Sequence, residues 1–320
     1  MKTSRTALAG VTAVLALALV ACGESSDTLS ADDRKVGAEG NSAAPVELPT
    51  EDVVSGVAED ATLHARLPKA VQDSGKLTIG VTEAVGETFL PHSGSTADGT
   101  QVGLDIDLRD AVAKVLGVEW DVEFGSFETI VPGTQSGKYQ VGQANFAVTS
   151  ERLKVVDFAT YVKDGQSFVT TKDSDLKEVT KLTDICGHKV STTPGSSFQQ
   201  ILETGAGACE KAGKEPYTVE YFKDQAAILL GLKSGKTDLF FGPTLSLKYL
   251  VAHQSNLAYL GEISSSDVGF VTDKDSPLAP LLVDAVNVLI DNGDYEKIFA
   301  KWDVAGIGID KSELDPEPAF

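Results

Sequence analysis

The chain has 320 residues, with 47 acidic against 27 basic side chains and a formal charge of −20 at pH 7. Such a field repels phosphate backbones, which excludes a nucleic-acid partner, and it resists non-specific adhesion to anionic lipid. The four histidines, His64, His92, His188 and His253, are scattered without ligand spacing, so neither a metal centre nor a cofactor is expected.

Lys2 and Arg5 lead into an apolar run from Ala7 to Val20 that stops at Ala21-Cys22. This is the pattern of a secretory signal peptide over residues 1–21, since the run is too short for a span of about 20 residues and the small Ala21 suits cleavage. The cut resembles a bacterial lipoprotein lipobox. That resemblance implies that Cys22 becomes the mature N-terminus, carries a diacylglyceryl thioether and an acyl group, and anchors the protein to the extracytoplasmic face of the cell membrane. An ordinary signal peptide with a cysteine near its cut is the alternative. With Cys22 lipidated, Cys186 and Cys209 remain as an even pair in an oxidising compartment and are expected to bridge, against the alternative of two free buried thiols.

Residues 22–70 are rich in Ser, Asp, Glu, Ala and Pro and contain no aromatic ring, which predicts a lipidated N-terminus and flexible tether, with a short helix around Leu63 to Gln72. Folding signals begin at Lys76 to Val81, an apolar and β-branched run that reads as a buried parallel strand. Leu104, Leu108, Ala111, Val112, Val115 and Leu116 form one helical face that Gly117 stops. A strand at Val118 to Phe124, a helix near Thr129 to Ser136 and a strand at Val141 to Val148 continue the α/β alternation. A second series places strands at Ser167 to Thr171, Lys189 to Thr193, Thr218 to Phe222, Asp238 to Phe241 and Val268 to Thr272. Helices are expected at Ser197 to Glu203, Gln225 to Lys233, Thr244 to Gln254, Pro277 to Asp291 and Tyr295 to Trp302. The globular part exceeds what one modest core holds and suits two small α/β lobes.

Gly75 to Thr82, Val102 to Leu108, Ser136-Gly137-Lys138, Thr149-Ser150-Glu151-Arg152, Val156-Asp157-Phe158 and Lys301-Trp302 together resemble the family 3 extracellular solute-binding proteins, the amino-acid receptors of ABC importers. The resemblance implies a two-lobed periplasmic-binding-protein-like (type II) fold, with two hinge crossovers and a ligand cleft between the lobes. One lobe would comprise residues 71–164 and 267–306, the other residues 165–266, with crossovers near Asp164-Gly165 and Ser266-Asp267 and a C-terminal tail over 307–320.

It also implies a site for an amino acid or amino-acid-like small carboxylate. Arg152 matches the arginine that clamps the ligand carboxylate, chemistry that suits a planar guanidinium, with Thr149 beside it; the alternative is a surface arginine paired with Glu151 or Asp157. Gly195, Ser196 and Ser197 match a segment that adds main-chain and hydroxyl donors, although a plain turn with a serine N-cap explains the same residues. Phe127 matches an aromatic platform, Phe89 a second wall and Glu83 a polar contact after the first strand. Two positions depart from the pattern: Ala147 replaces a hydroxyl residue, leaving Asn145 as the nearby polar group, and Pro243 replaces the aspartate that meets the ligand ammonium. Thr244, Glu83 or another acid then takes that role, or the ligand lacks the usual α-amino group.

The chain is thus expected to be a monomeric binding component that hands its ligand to an ABC permease. A ligand-sensing lipoprotein and an enzyme on the same fold are the rival readings. Against catalysis stands the want of a nucleophile elbow or a phosphate loop, and His92 reads as a solvated loop residue.

Overall fold

The structure is a computed structural model describing residues 47–320. In chain order its elements are α1 (Ala61–His64), α2 (Lys69–Ser74), β1 (Lys76–Thr82), β2 (Gly94–Ser95), β3 (Gln101–Val102), α3 (Leu104–Leu116), β4 (Glu119–Gly125), α4 (Phe127–Gln135), β5 (Val141–Ala147) and β6 (Val156–Thr171). They continue with β7 (Lys189–Thr192), α5 (Ser197–Thr204), α6 (Ala208–Lys211), β8 (Thr218–Tyr221), α7 (Gln225–Lys233), β9 (Leu239–Pro243), α8 (Thr244–His253), β10 (Leu257–Asp273), α9 (Leu278–Asp291) and α10 (Asp294–Lys301). The expected α/β class is borne out. Among the described residues no helix is long and apolar enough to cross a membrane.

One eight-stranded sheet runs in the order β4-β1-β5-β10-β6-β9-β7-β8. β1 is parallel to β4 and β5, and β7 is parallel to β8 and β9. The centre is an antiparallel ribbon of β6 and β10, paired from Leu257 opposite Thr171 to Asp273 opposite Val156 with register shifts at Tyr259/Gly261, Glu262/Ser264 and Val268/Gly269. Only the start of β6 and the end of β10 belong to the first half: β10 pairs with β5 from Val268 onward, and β6 pairs with β9 from Gln166 onward. Two polypeptide crossings therefore lie side by side between two sets of parallel strands.

Helices cover each half as amphipathy requires. The buried face of α3 carries Leu104, Leu108, Ala111, Val112, Val115 and Leu116, and Gly117 closes it in the left-handed conformation that glycine adopts without strain. This face packs with Leu77, Ile79, Phe270, Leu282, Val286 and Phe299 into one core. A separate core in the second half joins Phe168, Val179, Ile185, Val190, Leu202, Tyr217, Leu239 and Phe241. A disulfide links Cys186 to Cys209 in that second core, the bridge the cysteine pairing anticipates.

The N-terminal expectation needs correction. The composition predicts a tether through residue 70, yet Val57, Leu63 and Leu67 of that stretch are buried in the first core together with Val71. The single helix expected around Leu63 to Gln72 is two short ones, with Leu63 in α1, Leu67 in the turn before Pro68 and Val71 in α2, because the proline ring cannot continue the first helix. The signal peptide and Cys22 lie outside the described residues. At the other end, residues beyond 307 follow β6: the Ser312 hydroxyl donates to the Thr160 carbonyl at 2.6 Å, and the Asp315 carboxylate accepts from the Phe158 N–H at 2.7 Å.

Candidate functional site

Parallel strands send their carboxyl ends to one edge, and the loops that follow are where α/β folds place ligands. Here β1 leads to Glu83, β4 to Ser126 and Phe127, β7 to Thr193, and β8 to Lys223, Asp224 and Gln225. All of these border one cleft of about 410 Å³. Phe89 and Ser93 border it from the loop after β1. The cleft thus receives residues from both halves of the sheet. Its rim is acidic at Glu83 and Asp224, whereas Lys223 lies 3.5 Å from Glu128 across the opening.

Of the residues read from the sequence, Phe127, Phe89 and Glu83 line this cleft. Arg152 stands behind Phe127, with its guanidinium 5.6 Å from that ring and 5.2 Å from Phe146. It donates to the Ala147 carbonyl at 2.9 Å and reaches across to the Gly195 carbonyl at 3.1 Å. Burial pushes its pKa down to about 10. Among the described residues it has no carboxylate partner, because Glu151 pairs with Lys154 and Asp157 with Lys274. The surface-pair alternative thus does not hold in this structure. A partly desolvated cation with only carbonyl partners is suited to bind an anion.

The Thr149 hydroxyl accepts from the Arg152 N–H at 3.2 Å and shapes the short turn that carries the arginine. Gly195 has φ +73°, and its N–H donates to the Gln199 side chain at 2.7 Å. Ser196 accepts from the Gln199 N–H at 3.2 Å and donates to the Thr193 carbonyl at 2.6 Å, so its hydroxyl works as the N-cap of α5. Ser197 is buried in the first turn of that helix. An anion arriving here would displace the Gln199 side chain before meeting the Gly195 N–H.

Arg152, Thr149, Gly195, Ser196 and Ser197 stand outside the lining of the cleft, and Thr244 and Asn145 are not brought to it either. Thr244 is buried at the start of α8, donating to Glu262 at 2.7 Å and touching the Ser167 hydroxyl. Pro243 ends β9 opposite Gln166 and is likewise absent from the cleft lining. Asn145 has φ +53°, in the stretch of β5 where the register with β10 shifts between Gly269 and Val271. That geometry turns its amide to Asp164, 3.1 Å away.

His92 contradicts its reading as a solvated loop residue. It is fully buried, with Nδ1 3.3 Å from Asp105 and Nε2 3.0 Å from Asp164. Burial alone would lower its pKa, but the two carboxylates outweigh that cost and raise it to about 10. Loop composition cannot disclose this, because Asp105 and Asp164 lie far along the chain. Sequence reasoning also missed Thr193, Lys223, Asp224 and Gln225; the available signal was that each follows the end of a parallel strand.

Residues 81–305 match the bacterial extracellular solute-binding proteins, family 3. The chain belongs to that family. Among curated family relatives, the arginine-binding protein ArgT of Corynebacterium glutamicum is 25% identical, the alignment covering 80% of this chain and 83% of ArgT. The glutamine-binding protein GlnH of Bacillus subtilis is 29% identical over 73% of this chain and 83% of its own. Among solved structures, an ancestral arginine-binding protein bound to arginine is 32% identical with a TM-score of 0.62, covering 71% of this chain and 98% of that one. Its family neighbours share the two-lobed architecture inferred from the motifs.

Proposed function

We infer that this family 3 protein is the extracytoplasmic binding component of an amino-acid ABC importer, capturing its ligand in the cleft beside Phe127 and delivering it to a permease. The carrying observation is Arg152, a partly desolvated guanidinium behind Phe127 that bonds Ala147 of one half and Gly195 of the other and has no acid partner among the described residues. A ligand carboxylate supplies the missing charge, and contacts made by both halves at once favour the closed arrangement. Relatives that bind arginine and glutamine support an α-amino acid. The acidic Glu83 and Asp224 then face its ammonium or a cationic side chain, between the Phe89 and Phe127 walls.

Residues 71–164 with 267–306 form one lobe, on which the segment from Val57 to Leu67 and the residues from Ser312 to Asp315 also pack, and 165–266 form the other, hinged at Asp164-Gly165 and Ser266-Asp267, where the β6–β10 ribbon changes partners. Cys22 anchors the monomeric protein through its lipid. The ligand is bound without turnover.

A thermal-shift and calorimetric screen of the protein lacking residues 1–22, with arginine, glutamine, cystine and small carboxylates, tests this. A ligand at about 100 times its Kd adds about 2.7 kcal/mol of stability. The expected outcome is a hit that is recovered chemically unchanged and disappears in Arg152→Ala. No hit, or one indifferent to that substitution, removes the carboxylate clamp.

A further inference from the structure

The largest group that ligand binding leaves unexplained is the buried cluster around His92. Three elements of the first half and one helix of the second converge there. Asp105 lies in the first turn of α3, and its other oxygen accepts from the Tyr161 hydroxyl at 3.3 Å. Asp164 lies in β6 where the ribbon changes partners; one oxygen meets His92 and the Asn145 amide, and the other accepts from the Gly165 N–H at 2.7 Å and the Leu245 N–H at 3.1 Å. Leu245 is the second residue of α8, so Asp164 satisfies a free N–H of a helix start in the second half. Arg109, further along α3, lies 3.6 Å from Asp110 and is also near enough to Asp105 to be attracted by it.

Both ring nitrogens of His92 face carboxylates, and a neutral imidazole donates from only one. The bridge is complete only when both nitrogens carry protons. The same ring stacks on Phe89 at 5.3 Å, and the Phe89 carbonyl accepts from the Ser246 hydroxyl of α8 at 2.9 Å. A wall of the cleft and the crossover are therefore tied to one side chain.

We propose that His92 is a positioning residue of the cleft: donating to Asp105 and Asp164 at once, it fixes the Phe89 wall against the crossover and holds α8 of the second half in place. This rests on the reading of the cleft as the ligand site, but the coupling itself is measurable without ligand. Ring-nitrogen NMR on protein carrying labelled histidine at pH 8 is expected to show both His92 nitrogens protonated. Hydrogen exchange is expected to rise tenfold or more in His92→Gln at residues 89–93 and also at the Gly165 and Leu245 amides, with Ile79 to Val81 unchanged. Asp164→Asn, which keeps the side-chain shape, serves if His92→Gln does not fold, and predicts the same pattern.

A singly protonated ring in the parent, or faster exchange confined to residues 89–93, overturns the proposal. With L-arginine and L-glutamine as probes, His92→Gln is expected to weaken whichever binds the parent by tenfold or more. Unchanged affinity also overturns it. If nothing in the ligand screen binds the parent, the ligand reading fails while the exchange pattern still decides the coupling.

Discussion

Arg152 is held in the folded protein at a cost, because water is replaced around its cation by two aromatic rings and two carbonyls. A basic group whose pKa is lowered by burial penalises the folded state at every pH below that value. Arg152→Met keeps a stem of similar length against Phe127 and Phe146 and removes the charge. Its melting temperature without ligand is expected to equal or exceed the parent's, while affinity for the ligand falls by about 3 kcal/mol, or about two orders of magnitude. Scanning fluorimetry and calorimetry on the same pair of proteins check both halves of this trade.

His92 has the opposite sign. Its pKa is raised from 6.5 to about 10, so its contribution is fully present below about 6.5 and is lost as pH climbs through 10. Parent stability is expected to fall relative to His92→Gln across that window, with a limiting slope of about 1.4 kcal/mol per pH unit for one proton. Parallel denaturant titrations at pH 6.5, 8 and 9.5 check it. These two residues also mark how far the sequence carried: the resemblance of Thr149 to Arg152 to a family segment singles out the arginine, whereas nothing near His92 announces partners 13 and 72 positions distant.

Elements defined by their own apolar period were readable from the chain alone. The helix expected at Gln225 to Lys233 is found with those limits, and α3 ends one residue before the glycine that stops it. The long ribbon was only half legible. Ser167 to Thr171 and Val268 to Thr272 showed strand character, but β6 starts at Val156 and β10 at Leu257. The intervening Lys163-Asp164-Gly165-Gln166 and Gly261 to Ser266 are polar or glycine-rich, and they are extended because they pair with each other rather than through any propensity of their own.

Local backbone demands are testable at this scale. Gly103 has φ +144°, and a Cβ there would lie 2.3 Å from the His92 carbonyl oxygen. That close approach lets the first N–H groups of α3, on Leu104 and Asp105, donate to the carbonyls of Pro91 and His92 at 2.7 and 2.9 Å. Gly103→Ala is expected to cost about 3 kcal/mol through strain at a special conformation plus the displaced loop, read as a lower denaturation midpoint at unchanged m.

At the scale of the molecule, the two halves differ in how they are secured. The second half is stapled by Cys186–Cys209, a loop of sequence separation 23, and Cys209 is fully buried. Replacing both cysteines by serine is expected to lower stability by about 3 kcal/mol, most of it from the freer unfolded chain, and chemical denaturation of the oxidised and doubly substituted proteins measures it. The first half is secured by chain order instead. Its core needs Phe270, Leu282 and Phe299 from the last part of the sequence to cover Leu77 and Ile79, and β10 must enter between β5 and β6.

That interleaving has a consequence for biogenesis. As the polypeptide emerges from a ribosome or a translocation pore, the core built around Phe168, Ile185, Tyr217 and Phe241 has all its members once Leu260 has passed. The segment synthesised earliest has to wait longest. Leu77, Ile79 and the face of α3 lack Phe270, Leu282, Val286 and Phe299 until nearly the whole chain has been released, so truncation late in the message leaves the first core incomplete while the second has all its members.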